Sequence, residues 1–449
     1  MKVKSGYAQM VMRTIVYCCF PMTLMSPDLL RAEESEKGDL SGSLRFRSEY
    51  FKNFGLYEKR RSGGDDSEFE HHLRGDLIYQ RKVGAENRLL FQGRTAHNFG
   101  DNNSNQNFRT QDDVFLHQAW MRFNNLHEDW DLKIGRQELS FSNEILIGRD
   151  DWSSEGRSFD AIRLSRDGFE WDIDLFYALT QEGLSGEEDS SLSGIHGKHM
   201  NPMRTIKEIY FYHLGVPTSH APFDSLDQVE ANIYNLGFSI EGKISPPLFG
   251  QAMVNFQRGE LKSVGATERD HKAYHLYGNL DWFLNGDIFR NIGMEFSLAT
   301  GDKASTTDNE TFMPLFSSSH SRSGAMDWFS HMNSVVYTLY LMYDISEFWE
   351  GHLEVHHFEL ESSGAAWYLS DLNTAWWNGT PRIDWPNDGA SPKDAGSEID
   401  LHWTWTSSPE RVFHFGYSIF FPGALLRDSK WWNEDQKVHW AYFQTELSF

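Results

Sequence analysis

The segment Val438–Phe449 constrains the fold more than any other. Ala441, Phe443, Thr445, Leu447 and Phe449 fall on one side of an extended chain, and Trp440, Tyr442, Gln444, Glu446 and Ser448 on the other. Successive strand residues point to opposite faces, so this text builds an apolar face backed by a polar one and ends on an aromatic. The closing strand of an outer-membrane β-barrel is written this way, although a strand of a soluble sheet satisfies the same alternation. The remainder of the chain decides between them.

Lys2, Lys4 and Arg13 precede a short apolar run from Thr14 to Met25, and Ala32 stands before a strongly polar stretch. This predicts a cleaved secretory signal peptide over residues 1–32, because the run is well short of the ~20 residues a helix needs to cross a bilayer. Both cysteines, Cys18 and Cys19, fall inside it, so the expected mature chain, one domain over residues 33–449, has neither disulfides nor a thiolate metal site. No later segment approaches the length of a spanning helix, yet 15% of the residues are Phe, Trp or Tyr. A barrel reconciles these facts: one strand face meets lipid, the other meets water, and aromatics gather at both interfaces. Without Lys2, Lys4, Arg13, Arg31 and Asp28, 37 of the 41 basic and 64 of the 65 acidic side chains remain. Such an acidic chain is not built for nucleic acid.

Short alternating segments recur, including 44–51, 69–79, 114–123, 171–178, 231–241, 292–299, 334–343, 399–406 and 412–421. Their connections alternate between tight turns, as at Arg166-Asp167-Gly168 and Ser408-Pro409, and long polar loops, as at 97–112, 301–333 and 362–396. A membrane barrel needs this asymmetry, with turns in the periplasm and loops outside. Strands counted from the two ends meet with one missing, which places a hidden strand within the Gly- and Ser-rich residues 181–203. The expectation is an all-β, transmembrane antiparallel barrel of eighteen strands in the outer membrane, wide enough for an aqueous channel.

Three further blocks carry a likeness to a known family. These are Gly135–Ser140, Ile147–Ser153 and Gly156–Leu164, accompanied by Ala299–Asp302, Phe312–Phe316 and Phe420–Gly423. In order, and over nearly the whole expected mature chain, they resemble the alginate export family. The resemblance implies an eighteen-stranded outer-membrane channel that releases an anionic exopolysaccharide, with an arginine-rich constriction gated by loops. Outer-membrane lipid, the anionic polysaccharide and periplasmic export or biosynthesis proteins are the partners it implies; no cofactor is expected.

Charged side chains belong on the lumenal face, because an Arg aimed at mid-bilayer lipid costs about 2–4 kcal/mol. That puts Arg45, Arg47, Arg74, Arg88, Arg94, Arg122 and Arg163 inside, where rings of guanidinium attract carboxylated polymers. The alternative is that they cross-link Asp and Glu on neighbouring strands. Arg136 shares the phase of apolar Leu132 and Ile134, which suggests a bulge or strand exit near Gly135. Arg149, Asp151, Trp152 and Arg157 then fall in an extracellular connection, and with Asp160 they are either a gate or a network tying a loop to the rim. On later strands the inward positions are acidic or neutral, at Glu241, Glu295, Glu354, Asp400, His402 and Glu446. A pore with one basic and one acidic wall suits a polyanion on one side, or a neutral or mixed-charge glycan.

Weaker constellations are His71-His72 and His356-His357, whose members point to opposite faces and cannot share one metal, so no metal site is expected. Asp65-Asp66 and Glu187-Glu188-Asp189 read as solvated loop charge. Trp376-Trp377 and Trp431-Trp432 read as interfacial or loop aromatics. The competing functions are a general porin for uptake of oligosaccharides or small solutes, a barrel-borne hydrolase and a soluble polysaccharide-binding protein or lyase. A hydrolase needs a hydroxyl, an imidazole and an orienting group at one height. His117, His275 and His402 have hydroxyls nearby, but no spacing singles one out, so no catalytic residue is assigned.

Overall fold

The computed structural model describes residues 38–53, 67–84, 86–99, 114–127, 129–181, 189–201, 205–217, 229–263, 268–303, 305–318, 320, 322–363, 365–368, 382–383, 392–427 and 436–449. The expected signal peptide, most of loop 97–112, Asp65-Asp66, Glu187-Glu188, Trp376-Trp377 and Trp431-Trp432 lie outside them.

Period-two alternation becomes eighteen antiparallel strands in sequence order. The first six are β1 (Asp39–Lys52), β2 (Ser67–Val83), β3 (Asn87–Phe99), β4 (Val114–His127), β5 (Trp130–Gln137) and β6 (Phe159–Arg166). Then come β7 (Trp171–Gln181), β8 (Ser190–Met200), β9 (Ile206–Val216), β10 (Val229–Ser245), β11 (Leu248–Ser263) and β12 (Arg269–Phe283). After β13 (Phe289–Ala299), β14 (Ser334–Ser346) and β15 (Trp349–Leu360), the short pair β16 (Trp367–Tyr368) and β17 (Arg382–Ile383) stands apart. The barrel finishes with β18 (Asp394–Ser408), β19 (Arg411–Pro422) and β20 (Val438–Ser448). Closure is by β1 on β20, from Ser43↔Ser448 to Lys52↔His439, which leaves no sheet edge exposed to lipid. The strand sought within 181–203 is β8.

On β10, exposed Tyr234, Leu236, Phe238 and Ile240 alternate with buried Ile233, Asn235 and Ser239. The first set forms the lipid band and the second faces the lumen. Two-residue turns at 246–247, 347–348 and 409–410 lie at one end. The connections 138–158, 300–333 and 361–393 lie at the other.

The lumen is not a plain water-filled tube. Connections 138–158 and 300–333 carry apolar residues that solvated loops lack, and these are withdrawn into the barrel. Leu139, Phe141, Leu146 and Ile147 of the first loop join Phe312, Leu315 and Phe316 of the second in one buried cluster. Trp328 and Phe329 enter another with Phe358, Trp367, Phe420 and Trp440. Together they cover the inward apolar residues of the wall, a stabilisation of roughly 1.5–3 kcal/mol for each fully buried large side chain.

Candidate functional site

The infolded loops cross the lumen and meet. Ile147 and Phe316 form a parallel bridge. Gly148 N donates to Phe316 O at 2.8 Å, Phe316 N to Leu146 O at 2.6 Å and Ser318 N to Glu144 O at 3.0 Å. Arg157 locks this seam, its Nη1 donating to Gly148 O, Phe316 O and Ser317 O at 3.2, 2.8 and 3.1 Å. Gly148 sits where the loops touch, and a Cβ there would lie 2.2 Å from Ser318 Oγ. At the far side, Ser142 Oγ reaches Glu208 Oε2 on β9 at 2.7 Å.

The near side is held by the arginines of β1–β3. Arg45 donates to the carbonyls of Asp151, Trp152 and Ser153 at 2.5, 3.1 and 2.7 Å. Arg47 Nη1 reaches Trp152 O at 2.8 Å, and Arg94 Nη1 reaches Glu155 O at 2.8 Å. Arg74 binds Asp151 through its carbonyl at 3.1 Å and its carboxylate at 2.9 Å. These guanidiniums also carry carboxylates of their own: Glu49 on Arg47 at 2.5 Å, and Asp76 on Arg74 at 3.0 Å and Arg94 at 2.7 Å. The Trp152 ring lies between Arg47, 3.8 Å from its centroid, and His320, stacked at 3.7 Å. The mid-barrel arginines therefore point inward as their phase requires, but their donors are committed to backbone carbonyls. Sequence phase shows direction and not occupancy.

Two loop carboxyls differ sharply. Arg74 lowers the Asp151 carboxyl against its burial. Asp150 is buried beside Arg157 at 3.7 Å, and burial raises its carboxyl to about 6. Arg149 is half exposed, with Glu144 at 3.7 Å.

Arg136 and Asp160 correct the expectation of lumenal and gate positions. The β5–β6 register runs unbroken through Gly135↔Ala161 to Gln137↔Phe159, so the strand does not exit at Gly135. Arg136 and Asp160 are directly opposed on the outward face and pair at 2.7 Å. They lie at the top of these short strands, where an outward charge costs little.

Below the loops the register assembles a row of cations. Lys82↔Arg88, Arg88↔Arg122, Arg122↔Lys133 and Lys133↔Arg163 are successive cross-strand partners on β2–β6. All five share the inward phase and lie on the turn side, toward the periplasm. With strands about 4.8 Å apart, the row spans roughly 19 Å of the wall. Arg122 pairs with Asp131, and Arg163 with Asp174 at 2.7 Å. Lys133 lies 4.2 Å from the Trp120 ring centroid. Arg88 and Lys82 are exposed. Lys82 and Lys133 were not among the expected residues, although Lys82 shares the phase of Asp76 and Lys133 alternates with Leu132 and Ile134.

The histidines weighed for hydrolysis are placed differently. His275 Nε2 lies 3.1 Å from Ser297 Oγ, and Asn255 Nδ2 lies 3.3 Å from its Nδ1. Asn255 Oδ1 already accepts from Tyr210 at 2.9 Å, so the amide donates to the imidazole and leaves the Nε2 proton directed at the serine. That polarity is opposite to a general-base triad. His117 meets Glu138 at 2.9 Å and His402 meets the Tyr442 hydroxyl at 3.3 Å.

The fold is shared with porins of Pseudomonas aeruginosa. The outer membrane protein OpdK superposes with a TM-score of 0.56 at 11% identity, over 92% of this chain and 98% of that one. OccK5 (OpdH) gives 0.52 at 11%, over 92% and 98%, and OccD3 (OpdP) gives 0.52 at 12%, over 91% of each. No curated protein matches the sequence. The family model described as alginate export matches residues 37–437, nearly the whole chain. This large closed barrel is an outer-membrane channel, and the chain belongs to the alginate export family.

Proposed function

We propose that the channel conducts an acidic exopolysaccharide of polyuronate type outward, captured at the periplasmic mouth by Lys82, Arg88, Arg122, Lys133 and Arg163. The in-register cation row carries this reading. Five cations along one arc present a continuous binding edge to a chain with repeating carboxylates, and guanidinium pairs with carboxylate bidentately. Asp131 and Asp174 offset part of the charge, which keeps contacts weak enough for a polymer to slide. Loops 138–158 and 300–333 are the gate, and Arg157 is its latch. Movement of substrate follows a gradient or a push from periplasmic partners.

The test is the Arg88→Glu, Arg122→Glu double variant in planar bilayers under a salt gradient. Neither side chain touches the loops, so conductance stays near wild type while the reversal potential moves toward cations. An unchanged reversal potential removes the row from the permeation path and favours a general porin.

A further inference from the structure

We infer that the opposite wall holds a binding site for a first-row divalent metal ion, zinc foremost, formed by Glu354, His356 and Asp400; it is independent of what the channel carries. Register Glu354↔Asp400 and His356↔Glu398 puts these groups side by side on the lumenal faces of β15 and β18. One ligand atom from each of Glu354, His356 and Asp400 lies within 4.8 Å of the others. His356 Nε2 is 2.9 Å from Glu354 Oε2 and 3.1 Å from Asp400 Oδ2. Ligands about 2.0–2.1 Å from a tetrahedral zinc stand roughly 3.3 Å apart, so these two edges are near the required size.

Three observations point to a cation. Glu354, Glu398 and Asp400 are three carboxylates beside two imidazoles, His356 between Glu354 and Asp400 and His352 at 3.2 Å on the other oxygen of Glu354, and no Lys or Arg among the described residues forms an ion pair with any of them. Asp400 is 0% exposed, and no donor reaches either of its oxygens in good hydrogen-bond geometry, its polar neighbours being His356 Nε2 at 3.1 Å and the cross-strand Ser418; Glu398 Oε2, on an equally buried side chain, receives no hydrogen bond either. Burying such charge without a compensating partner costs several kcal/mol. Finally, Thr338 Oγ1 lies 2.8 Å from His356 Nδ1. With the hydroxyl accepting from Nδ1–H, a bound cation would take the Nε2 lone pair between the two carboxylates; without one, the 2.9 Å contact to Glu354 is made by Nε2–H. The nitrogen ligand favours zinc over calcium or magnesium. Glu398 Oε1 accepts from Met326 N at 3.0 Å, which connects the site to loop 300–333.

Untagged full-length protein in detergent, stripped with chelator, should retain one zinc per chain after incubation with zinc chloride and desalting. X-ray absorption of that sample should show one imidazole among oxygen ligands. Asp400→Asn should still migrate as a heat-modifiable barrel and bind at least tenfold more weakly. Thr338→Val, which keeps the side-chain shape, should weaken binding about 10–100-fold through the imidazole. A wild type that retains no zinc, or retains it as well as a folded Asp400→Asn does, overturns the site and identifies His356 as a buried imidazolium.

Discussion

The two walls of the barrel hold the infolded loops by different physics. On β1–β3, four arginines grip the carbonyls of 151–153 and 155 and the Asp151 carboxylate through directional, charge-assisted hydrogen bonds. On β14–β19, loop 300–333 is held by aromatic packing, with the Phe329 ring stacked 4.0 Å from Phe358 and 4.7 Å from Trp367. The basic wall has donors to spend on a loop backbone. The acidic wall has no guanidinium to spend, so its loop packs mainly through side chains, with Trp367 Nε1 donating to Trp328 O at 2.9 Å and Glu398 accepting from Met326 N at 3.0 Å. A channel wall of one charge sign can thus serve as scaffold in its middle and still present cations at its mouth, where the proposed function puts selectivity.

Removing the polar grip should have the largest effect. Arg45→Met with Arg74→Met deletes five hydrogen bonds to 151–153 while Arg94 still pairs with Asp76. At about 1.5–3 kcal/mol for each charged hydrogen bond, docking of loop 138–158 is lost and single-channel conductance should rise several-fold. Arg47 is kept because its removal takes the guanidinium from buried Glu49, leaving it only Trp440 Nε1 at 2.9 Å and His72 at 3.3 Å. Wild-type conductance would show that the loop stands on its apolar contacts alone. On the other wall, Phe329→Ala should cost loop docking about 3–5 kcal/mol and raise the open fraction, with proteolysis of loop 300–333 in intact cells as a second readout.

A smaller effect comes from pH, because two buried groups titrate in opposite senses. Asp150 at about 6 against an ordinary 3.8 makes docking weaken as pH rises from about 4 to about 6. His331, lowered by burial to about 4 from 6.5, makes docking weaken as pH falls through that interval. At about 1.4 kcal/mol per unit each amounts to roughly 3 kcal/mol, so wild-type gating should change little between pH 7 and pH 4. Asp150→Asn leaves the histidine unopposed, and opening should increase at pH 4. His331→Gln should do the reverse. Equal pH responses in wild type and both variants would contradict these assignments.

Much of the barrel is legible in the sequence. Alternation at β10 and β20 reports which face meets lipid, and loop length reports which end is outside. The β8 strand is masked because Gly194 and Gly197 interrupt its alternation, and only topology requires it. The site is less legible. Phase places Arg45, Arg47, Arg74 and Arg94 inside, but nothing in the text says that carbonyls 106 residues away will occupy Arg45. The available signal was Leu139, Phe141, Ile145 and Ile147 in a supposed loop, apolar residues that must find cover. Cross-strand register is likewise invisible in one sequence, which hid both the cation row and the Glu354–Asp400 pairing. Arg136 misled because a charge in phase with Leu132 and Ile134 suggests a bulge or strand exit at Gly135, whereas the ladder continues to Gln137 with Arg136 outward and paired to Asp160.

The most direct measurement is block of single-channel current by polymannuronate oligomers added to one side at a time. If the cation row captures the polymer, block is stronger from the periplasmic side, weakens with salt, and is lost in Arg88→Glu, Arg122→Glu. Equal block from both sides, or block indifferent to that double variant, would contradict capture at the periplasmic mouth.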